Sequence, residues 1–247
     1  MLQHYGQRQD AQVKENISSV VTRADLEAEE AILNVLETCL WKANIISEEC
    51  GFRDHGSKYT WVVDPLDGTS NFAAGLPWFG TLIALLEGTE PVLAGLYLPV
   101  ERSLYLAEEG QGAQLNGQPI SCSQGEKTED ELIAYSFDYS LESGKTRSEM
   151  EMMERLSKHV RNLRSTNSLL DFCYTAEGKL GGAINQTTKI WDIAAPWLLI
   201  REAGGIFKDP EGKIIQFDLG ADAHSRNYRV MAAGANLHPR LLKIINA

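Results

Sequence analysis

The chain reads as a mixed α/β (α+β) protein built in layers, and three observations carry that expectation. Strand-length apolar runs and segments of helical period occur together in both halves. Three of the runs, TLIALLE (81–87), VLAGLYL (92–98) and SLYLA (103–107), are separated only by EGTEP and PVER, the spacing of an antiparallel meander. With 247 residues, 43% of them hydrophobic, the chain can bury a sizeable core.

Taken in order, a helix is expected from about Asp25, with Leu26, Ile32, Leu33, Leu36 and Leu40 as its apolar stripe. ISEECG (46–51) reads as a strand end entering a loop, and WVV (61–63) as the end of a buried strand. The polar, Gly-rich stretch 112–131 reads as surface, and LIAYSFD (132–138) opens a second half. Helical spacing returns at Met150, Met153, Leu156 and Val160, then in LLDFCYTAEGKL (169–180). WDIAAPWLLIREAGG (191–205) predicts the final helix, with Pro196 close to its first turn and Gly204 and Gly205 as its stop. The seam is placed near 140. Residues 1–140 form an N-terminal half with most of the candidate metal ligands, and 141–247 a C-terminal half with Asp192 and the pocket segments.

The net charge is −11, with 34 acidic against 23 basic side chains, which argues against a nucleic-acid partner. No run approaches the roughly 18 consecutive apolar residues of a membrane span. The N-terminal stretch lacks an apolar signal core. Cys39, Cys50, Cys122 and Cys173 are scattered without a CxxC pair. These point to a cytoplasmic chain without a membrane partner.

The informative stretch is WVVDPLDGTSNF (61–72). Its apolar run ends on Asp64, with Asp67 three residues on, and isolated charges are costly to take out of water. Glu48 and Glu49 in SEEC and Asp192 in WD also sit at the edges of apolar elements. Hard divalent cations such as Mg2+ take oxygen ligands, commonly shared with a substrate phosphate, and paired metals can hold an attacking water and a leaving oxygen. Carboxylates with a backbone carbonyl, here that of Leu66, suit such a site. Gly68-Thr69 adds backbone amides that can face a phosphate. Singly, each has an ordinary explanation: Asp67-Gly68 a turn, Asp25 and Asp192 helix caps, Glu48-Glu49 a solvated loop, Lys14 a surface lysine. The argument depends on their joint occurrence. No GxSxG elbow is present, and none of His4, His55, His159, His224 and His238 falls in a metal-ligand pair.

WVVDPLDGTSNF together with WDIAAPWLLIREAGG resembles the inositol monophosphatase family of metal-dependent, lithium-sensitive phosphatases, whose motifs read W-x-x-D-P-I/L-D-G-T-x-N-F and W-D-x-A-A-x-x-L-x-x-E-A-G-G. EEGQGAQLNGQPI follows the family's meander, and the resemblance runs from about Lys14 onward. It implies a layered αβαβα sandwich of the sugar-phosphatase type, commonly a homodimer. It implies two or three Mg2+ ions on Glu48, Asp64, Asp67, Asp192 and the Leu66 carbonyl, with Glu49 in a less direct role. Asp25 and Thr69, with Glu48, would orient the attacking water. Gly68, Thr69, Lys14, Ser168 and Asn185 would line the phosphate and substrate side.

The implied reaction is hydrolysis of a small-molecule phosphate monoester, inositol 1-phosphate first. Fructose 1,6-bisphosphate or another sugar or nucleotide phosphate is the alternative, and a non-catalytic metal-binding regulatory relative the minor one. Several features depart from the family pattern. Ser19 stands where an aspartate is common, and only thirteen residues precede Lys14, so an N-terminal helix is shortened or absent. Asn185 replaces a glutamate that binds ring hydroxyls, and RSTNSLLD (164–171) replaces a small-residue segment. Arg161 and Arg164 offer charge for a second phosphate, or equally mark a solvated helix end.

Overall fold

The computed structural model describes residues 1–7, 12–14, 20–38, 42–138, 140, 144–220 and 222–247. Ser19, Cys39 and Leu40 lie outside the described residues. Residues 2–6 form turns, and among the described residues nothing before Arg23 is helical. Gln12–Val13 (β1) and Val20–Val21 (β2) pair antiparallel, and helix α1 follows over Arg23–Glu37.

The first sheet is assembled from Asn44–Ser47 (β3), Gly51–Arg53 (β4), Tyr59–Asp67 (β5), Gly80–Glu87 (β6), Glu90–Leu98 (β7), Ser103–Glu108 (β8), Gly112–Leu115 (β9) and Gln118–Pro119 (β10). Its order is β10-β9-β8-β7-β6-β5-β3-β4. The short separators do make β6, β7 and β8 an antiparallel meander. The one parallel pair is β3 with β5. A short helix α2, Thr69–Ala73, interrupts the path from β5 to β6.

The second sheet uses Leu132–Ser136 (β11), Asn162–Arg164 (β12), Gly182–Thr188 (β13), Gly205–Lys208 (β14) and Tyr228–Gly234 (β15) in the order β12-β11-β13-β15-β14. Here β11 runs parallel to β12 and β13. Helices α3 (Lys145–Ser157), α4 (Leu170–Ala176), α5 (Ile190–Glu202) and α6 (His238–Ile245) complete the chain.

Which side chains face which layer follows from the strand period of two. Val62, Ala84, Ala94, Leu96 and Ala107 meet Leu198, Leu199 and Ile200 of α5 in one core. The alternate residues Trp61, Ile83, Leu93 and Leu106 lie on the opposite face with Leu36 of α1. On the second sheet, Ile133, Tyr135, Ile184 and Met231 pack with Leu156 of α3 and Leu241 and Ile245 of α6. The layers are therefore helix, sheet, helix, sheet, helix, with α4 and α5 in the middle. α5 is apolar nearly all round because sheets lie on both its sides.

Several expectations are corrected. Leu26 is 54% exposed, and the buried face of α1 is Ala24, Asp25, Glu29 and Leu33, because that helix turns two carboxylates inward and, among the described residues, keeps only Leu33 of the expected stripe fully buried. Met150 is likewise exposed. The 112–131 stretch is not all surface: it forms β9 and β10, and buries Ala113 and Cys122. Pro196 sits inside α5 rather than in its first turn, and α6 rather than α5 is the last helix. Proline at 196 removes the amide that would bond the Asp192 carbonyl, a cost offset by packing on all sides of this helix.

Leu198 is wholly buried in the middle layer. Leu198→Ala should cost about 2–5 kcal/mol, read as a lower urea midpoint with an unchanged m-value.

Candidate active site

Asp64 lies inside the buried run 62–66 of β5 and is 2% exposed. The β5–β6 register breaks between Asp64 and Asp67, which lets both aspartates leave the sheet toward one place. Asp64 Oδ1 accepts from the Leu66 amide at 3.0 Å, and Asp67 Oδ2 from the Leu169 amide. Gly68 then adopts φ +79°, and a Cβ there would lie 2.4 Å from the Trp78 carbonyl oxygen. Glycine is required by this turn and its neighbour before any ligand is considered. The amides of Gly68, Thr69 and Ser70 stand at the start of α2, ahead of its first internal bond.

Two longer helices bring carboxylates to the same place by the same device. Asp25 is the third residue of α1, and its Oδ2 accepts from the amide of the cap residue Thr22 at 2.8 Å. Its Oδ1 accepts from Thr69 Oγ1 at 2.9 Å. The single Thr69 proton has a second acceptor, the Leu66 carbonyl, also at 2.9 Å. Asp192 is the third residue of α5, and its Oδ2 accepts from the Lys189 amide at 2.7 Å. Asp25 and Asp192 thus both cap helices and serve the site, Asp192 by lining the cavity and Asp25 through Thr69; the two explanations do not compete.

The register Ser47↔Val63 in the parallel β3–β5 pair sets Glu48 beside Asp64. Lys14 Nζ donates to Glu48 Oε1 at 2.7 Å and to Glu49 Oε1, so Lys14 is neither free nor on the surface. Glu29, which the sequence reading missed, is 7% exposed. It accepts from the Cys50 amide at 3.0 Å, the Glu49 amide at 3.2 Å and Ser47 Oγ. The spacing Asp25, Glu29, Leu33 was the available signal, one helix face read every four residues.

Oxygens of Asp64, Asp67 and Asp192 all lie within 4.8 Å of one another. Burial, then mutual repulsion and Glu48, pushes the Asp64 carboxyl well up. Asp67 is pushed up to about 7, by burial first and then by neighbouring acids, against the Leu169 bond. Asp192 is raised by burial and by Asp67. Burial opposes charge on Lys14, but Glu48 and Glu49 outweigh it and its pKa rises. An all-oxygen cluster that resists its own ionisation has the chemistry of a hard divalent-cation site.

These residues form one end of a cavity of about 640 Å³. Ser168 and Asn185, expected on the substrate side, both line it, as do Asn167, Leu169, Thr187 and Lys189. Arg161 and Arg164 do not: both are exposed, and Arg161 stands 3.6 Å from Asp130. The lysines lining the cavity are Lys14, Lys145 and Lys189. Asp138 also lines it and was missed, although LIAYSFD ends on a carboxylate just as WVVD does.

A family model for the inositol monophosphatase family matches residues 1–247. The chain belongs to that family. It is 31% identical over 244 residues to a fructose-1,6-bisphosphatase/inositol-1-monophosphatase of Thermotoga maritima, spanning 98% of this chain and 89% of that protein. It is 30% identical over 243 residues to the Nus factor SuhB of Haemophilus influenzae, spanning 97% and 88%. The crystal structure of the extragenic suppressor protein SuhB from Bartonella henselae superposes with a TM-score of 0.88 at 30% identity, covering 99% of this chain and 92% of that one. The family is a phosphatase family, and its model begins at residue 1, ahead of the motifs quoted from Lys14 onward. Among the described residues no helix is long and apolar enough to cross a membrane.

The raised carboxyls set a sign for pH. Asp67 titrates near 7 in the folded chain and near 3.9 unfolded, so between those values the folded state holds more protons. Stability of the chelated protein therefore falls as pH rises from about 4 through 7. Cation binding must displace those protons, so its stabilisation grows over the same window. Thermal melts in chelator and in Mg2+ should give Tm values that draw apart as pH rises; a gap constant from pH 4 to 8 would contradict the exchange.

Proposed function

We propose that this chain is a Mg2+-dependent phosphomonoesterase whose first substrate is inositol 1-phosphate, hydrolysed by water without a phosphoenzyme. The observation carrying this is the convergence of Asp64, Asp67 and Asp192 within 4.8 Å of one another in one cavity with Thr69, whose hydroxyl is backed by the buried Asp25. Glu48, Asp64, Asp67, Asp192 and the Leu66 carbonyl would hold the cation. Mg2+, when bound, supplies Lewis-acid charge to the phosphoryl group and acidifies water.

The chain's own residues do the rest. Once the Leu66 carbonyl is engaged elsewhere, the Thr69 proton goes to Asp25 Oδ1, leaving Thr69 Oγ1 to accept a proton from the attacking water. That water is thereby aimed in line at phosphorus. Burial raises the Asp25 carboxyl, which suits it to receive the proton passed on by Thr69. The amides of Gly68, Thr69 and Ser70 would meet the phosphate oxygens.

A second reading keeps the reaction and changes the ester to fructose 1,6-bisphosphate. It is favoured by the neutral Asn185 and by the double name of the Thermotoga relative. The SuhB names of other relatives raise a regulatory role, which turnover would have to accompany or replace.

Phosphate release with Mg2+ from inositol 1-phosphate and fructose 1,6-bisphosphate, measured side by side, separates these readings. Asp64→Asn keeps the acceptor for the Leu66 amide and should lower turnover about 100-fold or more with the fold intact. Near-normal rates in that variant would sink the cation assignment, and absence of release from any ester would favour the regulatory reading.

A further inference from the structure

The wall of the cavity away from the cation cluster is supplied by the second sheet. β11 and β13 run parallel, with Ser136 opposite Asn185. Asp138 follows two residues past Ser136, and it lines the cavity together with Thr187. Asn185 Oδ1 accepts from the Thr187 amide at 2.9 Å, where the β13–β15 register shifts. Asn185 therefore offers its amide hydrogens and at most one remaining neutral acceptor site, and no charged acceptor. Thr187 Oγ1 already accepts from Lys145 Nζ, and Lys189 Nζ donates to the His224 carbonyl at 2.9 Å.

Asp138 supplies what Asn185 does not. Its Oδ1 accepts from Asn167 Nδ2 at 3.0 Å; among the described residues Oδ2 has no hydrogen-bond donor. Asn167 also lines the cavity and holds a left-handed backbone, φ +53°, an uncommon conformation that points to a local constraint at this position. Lys145 and Lys189 line this wall beside Asp138, whose carboxyl is raised by burial against Asn167 and Lys145. A wall with donors and a carboxylate acceptor side by side suits vicinal hydroxyls, which both donate and accept.

We infer that Asp138, aimed by Asn167, is the specificity-determining residue that accepts hydroxyl hydrogens of the leaving alcohol. This rests on the phosphatase reading above. Asn185 and Lys145 donate to the same alcohol, while the reaction itself stays with the cation cluster and Thr69.

The test compares kcat/KM for inositol 1-phosphate with that for p-nitrophenyl phosphate, an aryl ester with no hydroxyls, in wild type, Asp138→Asn and Asn167→Ala. Both rates come from one preparation with Mg2+, so loss of folded protein cancels in their ratio. The ratio should fall about tenfold or more in Asp138→Asn, the loss expected for one hydrogen bond to a charged acceptor. It should fall in the same direction in Asn167→Ala, with the change in KM rather than kcat. Ratios within twofold of wild type in both variants overturn the assignment while leaving the phosphatase reading standing. Failure of the wild-type chain to hydrolyse either ester overturns that reading and the assignment with it.

Discussion

Mutual repulsion among Asp64, Asp67 and Asp192 is the constraint on which the rest of the structure turns. Three carboxylates held within 4.8 Å in a largely buried setting favour separation or protonation unless the backbone holds them. In each case one oxygen is tied to a main-chain amide: Asp64 to Leu66, Asp67 to Leu169, Asp192 to Lys189. Asp25 does the same with Thr22. In the three clustered aspartates one oxygen fixes the side chain to the fold and leaves the other for the cavity they line, whereas the second oxygen of Asp25 takes the Thr69 hydroxyl. The repulsion is thus carried by secondary structure, whose own packing supplies the restoring force.

That arrangement explains why the middle layer is both core and site. α5 is buried between two sheets along its length, and its first turn delivers Asp192. A helix that could tilt or slide would move the carboxylate by a comparable amount. The bonds from Glu29 to the 47–50 turn do the same for Glu48 and Glu49 from the α1 side. Lys14 closes that corner through Glu48 and Glu49. The positions of these charges are therefore set by helices and strands rather than by flexible loops.

Features written in local pattern were legible before any coordinates. The meander showed because its separators are short, and DPLDGT showed because an apolar run does not end on two acids without cause. Where the reading failed, the outcome depended on which face an element turns inward. Leucines at helical spacing in α1 named Leu26, yet Asp25 and Glu29 are buried and Leu26 is not, because the neighbours of that face are polar. β7 and β8 are apolar on both faces, so alternation gave no sign that Leu93, Tyr97, Leu104 and Leu106 would be partly exposed. In 112–131 the polar average concealed Ala113 and Cys122. Arg161 and Arg164 were placed by charge alone, and the edge position of β12 puts them outside the cavity.

Strand direction ties these observations together. The first sheet is antiparallel apart from the β3–β5 pair, and in the second β11 runs parallel to both β12 and β13. Parallel neighbours end at the same level, so their carboxyl ends can serve one ligand. Glu48 follows β3, Asp64 and Asp67 close β5, Asp138 follows β11, and Asn185 and Thr187 lie at the end of β13. Asp192 belongs to the cluster yet stands in the first turn of α5, just after β13, so the two walls meet through the middle helices and the 166–169 segment. Under the phosphatase reading proposed above, a substitution on β13 such as the amide at Asn185 would alter what the alcohol meets while the main-chain bonds that hold Asp64 and Asp67 stay in place.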